Sequence, residues 1–305
     1  MAATYRIEHT TRYVYGSPVA TSQHVAYLRP RELTYQHVRH YELRIVPAPA
    51  SIAHRVDAFG NTAKHFQILR PYSALTVTAD SVVDVCERGA VDEAISPRWE
   101  ALARELGGRV DGVLADVAQF AQPSPYLPFS PAMDGFARRS FPAGQTVLRG
   151  AIDLMHRIHG EFTFDTTATT VTTPLSRVLE DRRGVCQDFA HAAISCLRAM
   201  GLAARYVSGY LLTDPPPGQS RLIGADASHA WLSVFCPAHG WVDLDPTNDV
   251  VVGERHVTVA WGRDYGDVSP LRGVVLGGAQ HALVVGVSVV PLEAPTSVVP
   301  DPPAP

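Results

Sequence analysis

Hydrophobic and polar residues alternate with period two through most of residues 1–90. The stretches Tyr5–Tyr15, His40–Val46 and Leu75–Val85 alternate and contain many β-branched or aromatic residues. Turn-forming groups separate them: Gly16-Ser-Pro18, Pro47-Ala-Pro49 and Asp57-Ala-Phe-Gly-Asn61. Short alternating strands at this spacing predict an antiparallel, sandwich-like β domain. Beyond residue 90 the period changes. Pro97–Leu106, Val110–Gln122 and Thr146–Ile158 carry apolar residues at helical spacing, with Pro123-Ser-Pro125 as a break. Leu175–Asp181 predicts a short helix. Cys186–Met200 predicts a longer, alanine-rich one that stops at Gly201. Ala204–Leu212 is a strand and Pro215–Gly218 a loop. His229–Cys236 and Trp241–Asp245 form a hairpin around Pro237-Ala-His-Gly240, and Val284–Pro291 is a closing strand.

The expected class is α+β. A β-rich domain spans 1–90, a helical lead-in and a sheet-bearing core span 91–292, and a flexible proline-rich tail spans 293–305. With 305 residues and 46% hydrophobic content the chain has material for a substantial core. The net charge is −4, which supplies no basic field for nucleic acid or an anionic membrane. No apolar run reaches the roughly 20 residues that span a bilayer. No basic start followed by an apolar run marks a signal peptide. Cys86, Cys186, Cys196 and Cys236 are scattered, without a CxxC pair. A cytoplasmic protein with reduced thiols is the expectation. Of the 26 basic residues only Lys64 is a lysine, so the chain offers almost no amine of its own for crosslinking.

Chemistry concentrates in three places. Gly184-Val-Cys186-Gln-Asp-Phe-Ala-His191 puts a thiol where a loop becomes a helix. There, unpaired amides and the helix dipole favour thiolate and can donate to an oxyanion. A small hydrophobe at a helix start would look the same. Ala227-Ser-His229-Ala-Trp231-Leu-Ser233 is a strand with His229, Trp231 and Ser233 on one face, and His229 there is either a base or a structural histidine. Gly240-Trp-Val-Asp243-Leu-Asp245-Pro-Thr-Asn248 returns across a short turn. Either of its two same-face acids could orient the imidazole. Cys186, His191, Cys196 and His229 match no zinc spacing, and no metal or cofactor is expected. Cys196 lies nearly three turns from Cys186, too far for a disulfide.

Taken together, Gly184–His191, Cys196–Tyr210, Ser228-His-Ala-Trp231 and Gly240–Asn248 resemble the core of bacterial transglutaminase-like proteins. Residues 1–90 and Leu276–Pro291 resemble the β-rich region and closing strand of a bacterial subfamily. The resemblance implies a papain-like fold with Cys186 as nucleophile, His229 as base and Asp245, just before Pro246-Thr, as orienter. Asp243 is the substitute. The implied activity is acyl transfer through a thioester on a peptide or protein substrate, with water or an amine as acceptor. A non-catalytic binding or scaffolding protein on the same fold is the alternative. Gln187 stands where amine-crosslinking members of animal type carry an aromatic residue, which tilts the expectation to hydrolysis. Subfamily relatives neighbour ATP-grasp-like and helical proteins, implying bacterial partners in a peptide-modifying system.

Overall fold

A computed structural model describes residues 2–109, 111–213 and 228–292. The proposed loop at Pro215–Gly218 and the tail 293–305 lie outside the described residues. The first sheet is organised by one strand, β1 (Ala2–Ala26). Its neighbours in sequence are β2 (Gln36–Val46), β3 (Ser51–Val56), β4 (Thr62–Ile68) and β5 (Tyr72–Cys86). The order is β2-β5-β1-β4-β3, all antiparallel. The first half of β1 pairs with β5 and the second half with β4, so the sheet curls and its halves face each other. Tyr15, Val19, Phe66, Ile68, Leu75 and Val77 from both halves fill the space between them.

Gly16-Ser-Pro18 does not reverse the chain as the sequence predicts. β1 runs on through it, and only the register with β5 slips between Val14 and Val19. Gly16 N–H is instead satisfied by the carbonyl of Gln280, so a tertiary contact overrides the local turn preference.

Helices follow: α1 (Trp99–Gly107), α2 (Gly112–Ala118), α3 (Pro131–Arg138) and α4 (Val147–Glu161). The proline-rich stretch that reads as a surface loop ends in α3, which Pro131 opens at its first position. Short β6 (Thr163–Phe164) pairs in parallel with β7 (Arg183–Gly184), bracketing α5 (Leu175–Asp181). Then comes α6 (Cys186–Ala199), in which every residue from Asp188 to Arg198 is buried. A helix apolar on all sides belongs at the centre of a fold. It packs on a second antiparallel sheet, β11-β10-β9-β8-β12. These strands are β8 (Ala204–Leu211), β9 (Ser228–Cys236), β10 (Gly240–Asp245), β11 (Val250–Val251) and β12 (His256–Gly262). The short α7 (Tyr265–Val268) leads to β13 (Leu271–Gly277) and β14 (His281–Leu292).

These last two strands return to β1, β14 along its first half and β13 along its second. The sequence groups 271–292 with the core because it follows the core in order. In space these residues complete the first sheet, because β1 has a second edge to satisfy. One hydrophobic core joins the two parts, with Tyr5, Ile7, Val83, Val85, Val287 and Val289 packing in the same cluster as α4, α6 and β8. No helix of the described residues is long and apolar enough to cross a membrane.

Candidate active site

Cys186 opens α6, half-buried, directly after β7. The turn before it is held by Asp188, whose Oδ2 accepts the Val185 N–H at 2.8 Å and the Thr169 hydroxyl at 2.6 Å. Asp188 sits against the backbone of Gly184, where a Cβ would lie 2.5 Å from that oxygen. The glycine in Gly184-Val-Cys is therefore a steric requirement. Burial raises the Asp188 carboxyl, partly offset by these two donors. The first-turn amides at Cys186 and Gln187 lack helical acceptors by their position.

The β9–β10 hairpin settles which acid reaches the imidazole. Asp243 pairs with Ser233 and Leu244 with Leu232, so the register continues Asp245 opposite Trp231. Both acids share a face, as their spacing predicts, and each bonds the residue diagonal to its partner. Asp245 Oδ2 is 2.7 Å from His229 Nε2, while Asp243 Oδ2 accepts from Trp231 Nε1 at 3.2 Å. Asp243 is no surface charge: it is buried and paired with Arg88 at 2.7 Å. With Nε2 facing Asp245, Nδ1 is the ring nitrogen left for Cys186, which lines the same cleft as His229. The structure thus brings Cys186, His229 and Asp245 together in that order.

Two neighbours were not identified from sequence. Asn248 Nδ2 donates to Asp245 Oδ2 at 2.7 Å and lies 3.2 Å from His229 Nε2. His256, at the start of β12, places Nε2 3.1 Å from the same oxygen and packs edge-on to Trp231. The other Asp245 oxygen accepts the Thr247 and Asn248 amides at 3.0 and 3.3 Å. Asn248 lies in the Asp-Pro-Thr-Asn string, and its nearness to the acid was a usable signal. His256 comes from two strands away, and no spacing rule reveals it.

Burial alone would push His229 down, but hydrogen bonds to Asp245 and Cys186 override it and raise the imidazole to about 10. Burial likewise opposes the charge on Asp245, and donation from His229 and His256 holds it well below the usual carboxylate range. Burial pushes His256 down, so it donates to Asp245 as a neutral ring. His229, Asp245 and His256 have ligand atoms within 4.8 Å of one another, a grouping that could hold a metal ion. Yet Asp245 already accepts five hydrogen bonds, which occupy its lone pairs. The set of Cys186, His191, Cys196 and His229 does not assemble among the described residues. His191 Nε2 instead accepts the Tyr265 amide, and Cys196 contacts Met133 with its thiol pushed up to about 12 by burial.

The Cys186–His229 pair opens into a cleft of about 340 Å³ between the core and the first sheet. β1 contributes His9, Thr11 and Tyr13, and β14 contributes Leu283 and Val285. From sequence, the first 90 residues hold no catalytic set, and they supply none; they supply a wall. Among the described residues, no Asp, Glu, Lys or Arg lines the cleft. His9, buried and bonded to the Tyr210 hydroxyl at 3.0 Å, is pushed down to about 4 and is neutral.

Known families share this arrangement along the chain. Residues 5–84 match the bacterial transglutaminase-like N-terminal region, and residues 135–246 match the transglutaminase-like superfamily core. An uncharacterized protein of Mycobacterium tuberculosis is 42% identical over 298 residues, covering 95% of this chain and 93% of that one. The chain belongs to the transglutaminase-like superfamily. An uncharacterized protein of Mycobacterium leprae is 33% identical over 289 residues, 93% of this chain and 97% of its own. A stretch of 74 residues, 24% of this chain and 11% of the other, is 36% identical to a protein-glutamine gamma-glutamyltransferase of Pseudomonas aeruginosa. The crystal structure of a proposed cysteine protease from Cytophaga hutchinsonii superposes with a TM-score of 0.78 at 20% identity. It covers 96% of this chain and 92% of that one. It shares the fold of this superfamily member, first sheet included.

Proposed function

We propose that this member of the superfamily is a cysteine-dependent acyl-transfer enzyme acting on carboxamide or peptide carbonyls. The observation that carries the reading is His229, bonded to the buried Asp245 and lining one cleft with the helix-start Cys186. The Cys186 sulfur attacks the carbonyl carbon, forming the S–C bond, while first-turn amides of α6 receive the developing oxyanion. Collapse breaks the C–N bond, and His229 gives its proton to the departing nitrogen. Water then attacks the thioester with His229 taking the proton, the S–C bond breaks, and the carboxylic acid leaves. Asp245 keeps the Nε2 proton in place throughout and offsets the imidazolium charge.

Water is the favoured acceptor, because Gln187 follows the nucleophile in place of an aromatic. The name of the Pseudomonas aeruginosa relative supports a second reading, in which an amine accepts the acyl group. Incubation of the full chain with glutamine-bearing polypeptides and a fluorescent amine separates the two. New amino termini or ammonia without dye point to hydrolysis, and dye incorporation points to amine transfer. If neither product exceeds that of a Cys186→Ala control, the enzyme reading fails and a binding protein on this fold remains.

A further inference from the structure

Among the described residues, β14 forms an edge of the first sheet over 281–286. Twelve consecutive residues, His281 to Leu292, pair with β1 without a bulge, and among the described residues no strand pairs with its other side. Natural edges are normally blunted by charge, internal proline or a bulge, because a flat apolar edge recruits another strand. Here, Gly273 to Leu292 contains no Asp, Glu, Lys or Arg, and the sole proline, Pro291, lies at the far end. Leu283, Val284 and Val285 are 52%, 62% and 47% exposed. The same stretch rims the cleft, since Leu283 and Val285 line it beside Cys186 and His229.

We infer that the free edge of β14 at residues 281–286 docks the acyl donor as an added β-strand, an extended polypeptide segment. This rests on the proposed function and specifies its substrate. An added strand presents alternate side chains on the face that carries Leu283 and Val285, which is the face turned to the cleft. A residue of that phase is delivered toward Cys186 while the backbone stays on the edge. Continuity of edge and cleft singles out the donor chain over a second copy, which would pair along the edge without entering the cleft.

The test uses a fluorescein-labelled nine-residue peptide of alternating valine and threonine around a central glutamine. Two twins are N-methylated at alternate residues, one for each phase. Binding is read by anisotropy on full-length Cys186→Ala, so it does not depend on turnover. One phase should bind about tenfold more weakly, the scale of one or two lost backbone hydrogen bonds, and the other should bind like the parent. Leu283→Lys with Val285→Lys should weaken the parent by a similar factor. Equal loss in both phases, or no parent binding up to about 1 mM, overturns the inference. So does a wild-type dimer that the lysines dissociate while peptide affinity is unchanged. Phase-selective binding without wild-type turnover would leave docking in place and sink the catalytic reading. Turnover of short amides without phase selectivity would do the reverse.

Discussion

Asp243 and Asp245 lie two residues apart on one face, yet their replacement by asparagine should fail in different ways. Asp243 is 5% exposed and carries the counter-charge for Arg88 at 2.7 Å. It also faces the buried Arg205, stacked on Trp241 at 4.3 Å and Trp261 at 3.7 Å. Burial lowers Arg205 to about 10, and the Asp243 charge works against that fall. Asp243→Asn therefore leaves buried cations uncompensated. Breaking a buried pair on one side costs about 3–5 kcal/mol, hence roughly ten degrees of melting temperature for a chain of this size. Asp245→Asn leaves Arg88 and Arg205 paired but removes the group that holds the Nε2 proton of His229. In a serine-protease triad the equivalent change costs about 10⁴ in turnover. The assay measures thermal unfolding, Cys186 alkylation and amide turnover on both variants at a temperature where both are folded. Asp243→Asn should be the less stable and retain most turnover per folded molecule; Asp245→Asn should be folded and nearly inert. Inverted turnover losses would show that the hairpin register does not select the orienter.

Three further outcomes follow from burial and packing. Because His229 rises from about 6.5 to about 10, its stabilising contribution is complete below pH 6.5 and fades as pH climbs to 10. Asp245 is depressed, so its contribution is present above about pH 4 and is lost on acidification; denaturant titrations of wild type and His229→Gln should differ most between about pH 4 and 6.5 and converge toward both ends. With dilute iodoacetamide, Cys186 should react fastest and exposed Cys86 as an ordinary surface thiol, while buried Cys196 and Cys236 stay protected in peptide mapping. Gly209→Ala should destabilise by about 1–3 kcal/mol or more in chemical denaturation, since a Cβ there would lie 2.2 Å from the Val257 carbonyl and 2.4 Å from the Trp231 ring.

What could be read in the chain was whatever is encoded locally. The start of α6 at Cys186 and the β9–β10 hairpin each rest on a few adjacent residues, whereas those residues left Asp243 and Asp245 both open and the resemblance alone preferred Asp245. What escaped is carried by long-range pairing. The continuation of β1 through Gly16-Ser-Pro18 depends on Gln280, and the return of β13 and β14 to β1 joins residues 245 to 288 positions apart. Asp243 looked like a strand-end acid because its partner, Arg88, lies 155 residues earlier. His256 escaped for another reason: it lies only 11 residues from Asp245, but on a strand that is not β10's neighbour in the sheet. Helix α3 was hidden by the density of prolines before it, although Pro131 is well suited to a first helical turn.

The pairing of β1 with β14 also times the appearance of the cleft. A nascent chain that has emerged as far as residue 270 already contains Cys186, His229 and Asp245, but one face of β1 still lacks its neighbour. Leu283 and Val285 are not yet there to form the wall opposite the thiol. Pairings of such sequence separation form late and slowly. A reactive cysteine assembled on the ribosome would meet every unfolded segment of its own chain and its neighbours'. By making the last strands close the first sheet, the fold withholds a complete cleft until residues 281–292 have been synthesised and docked.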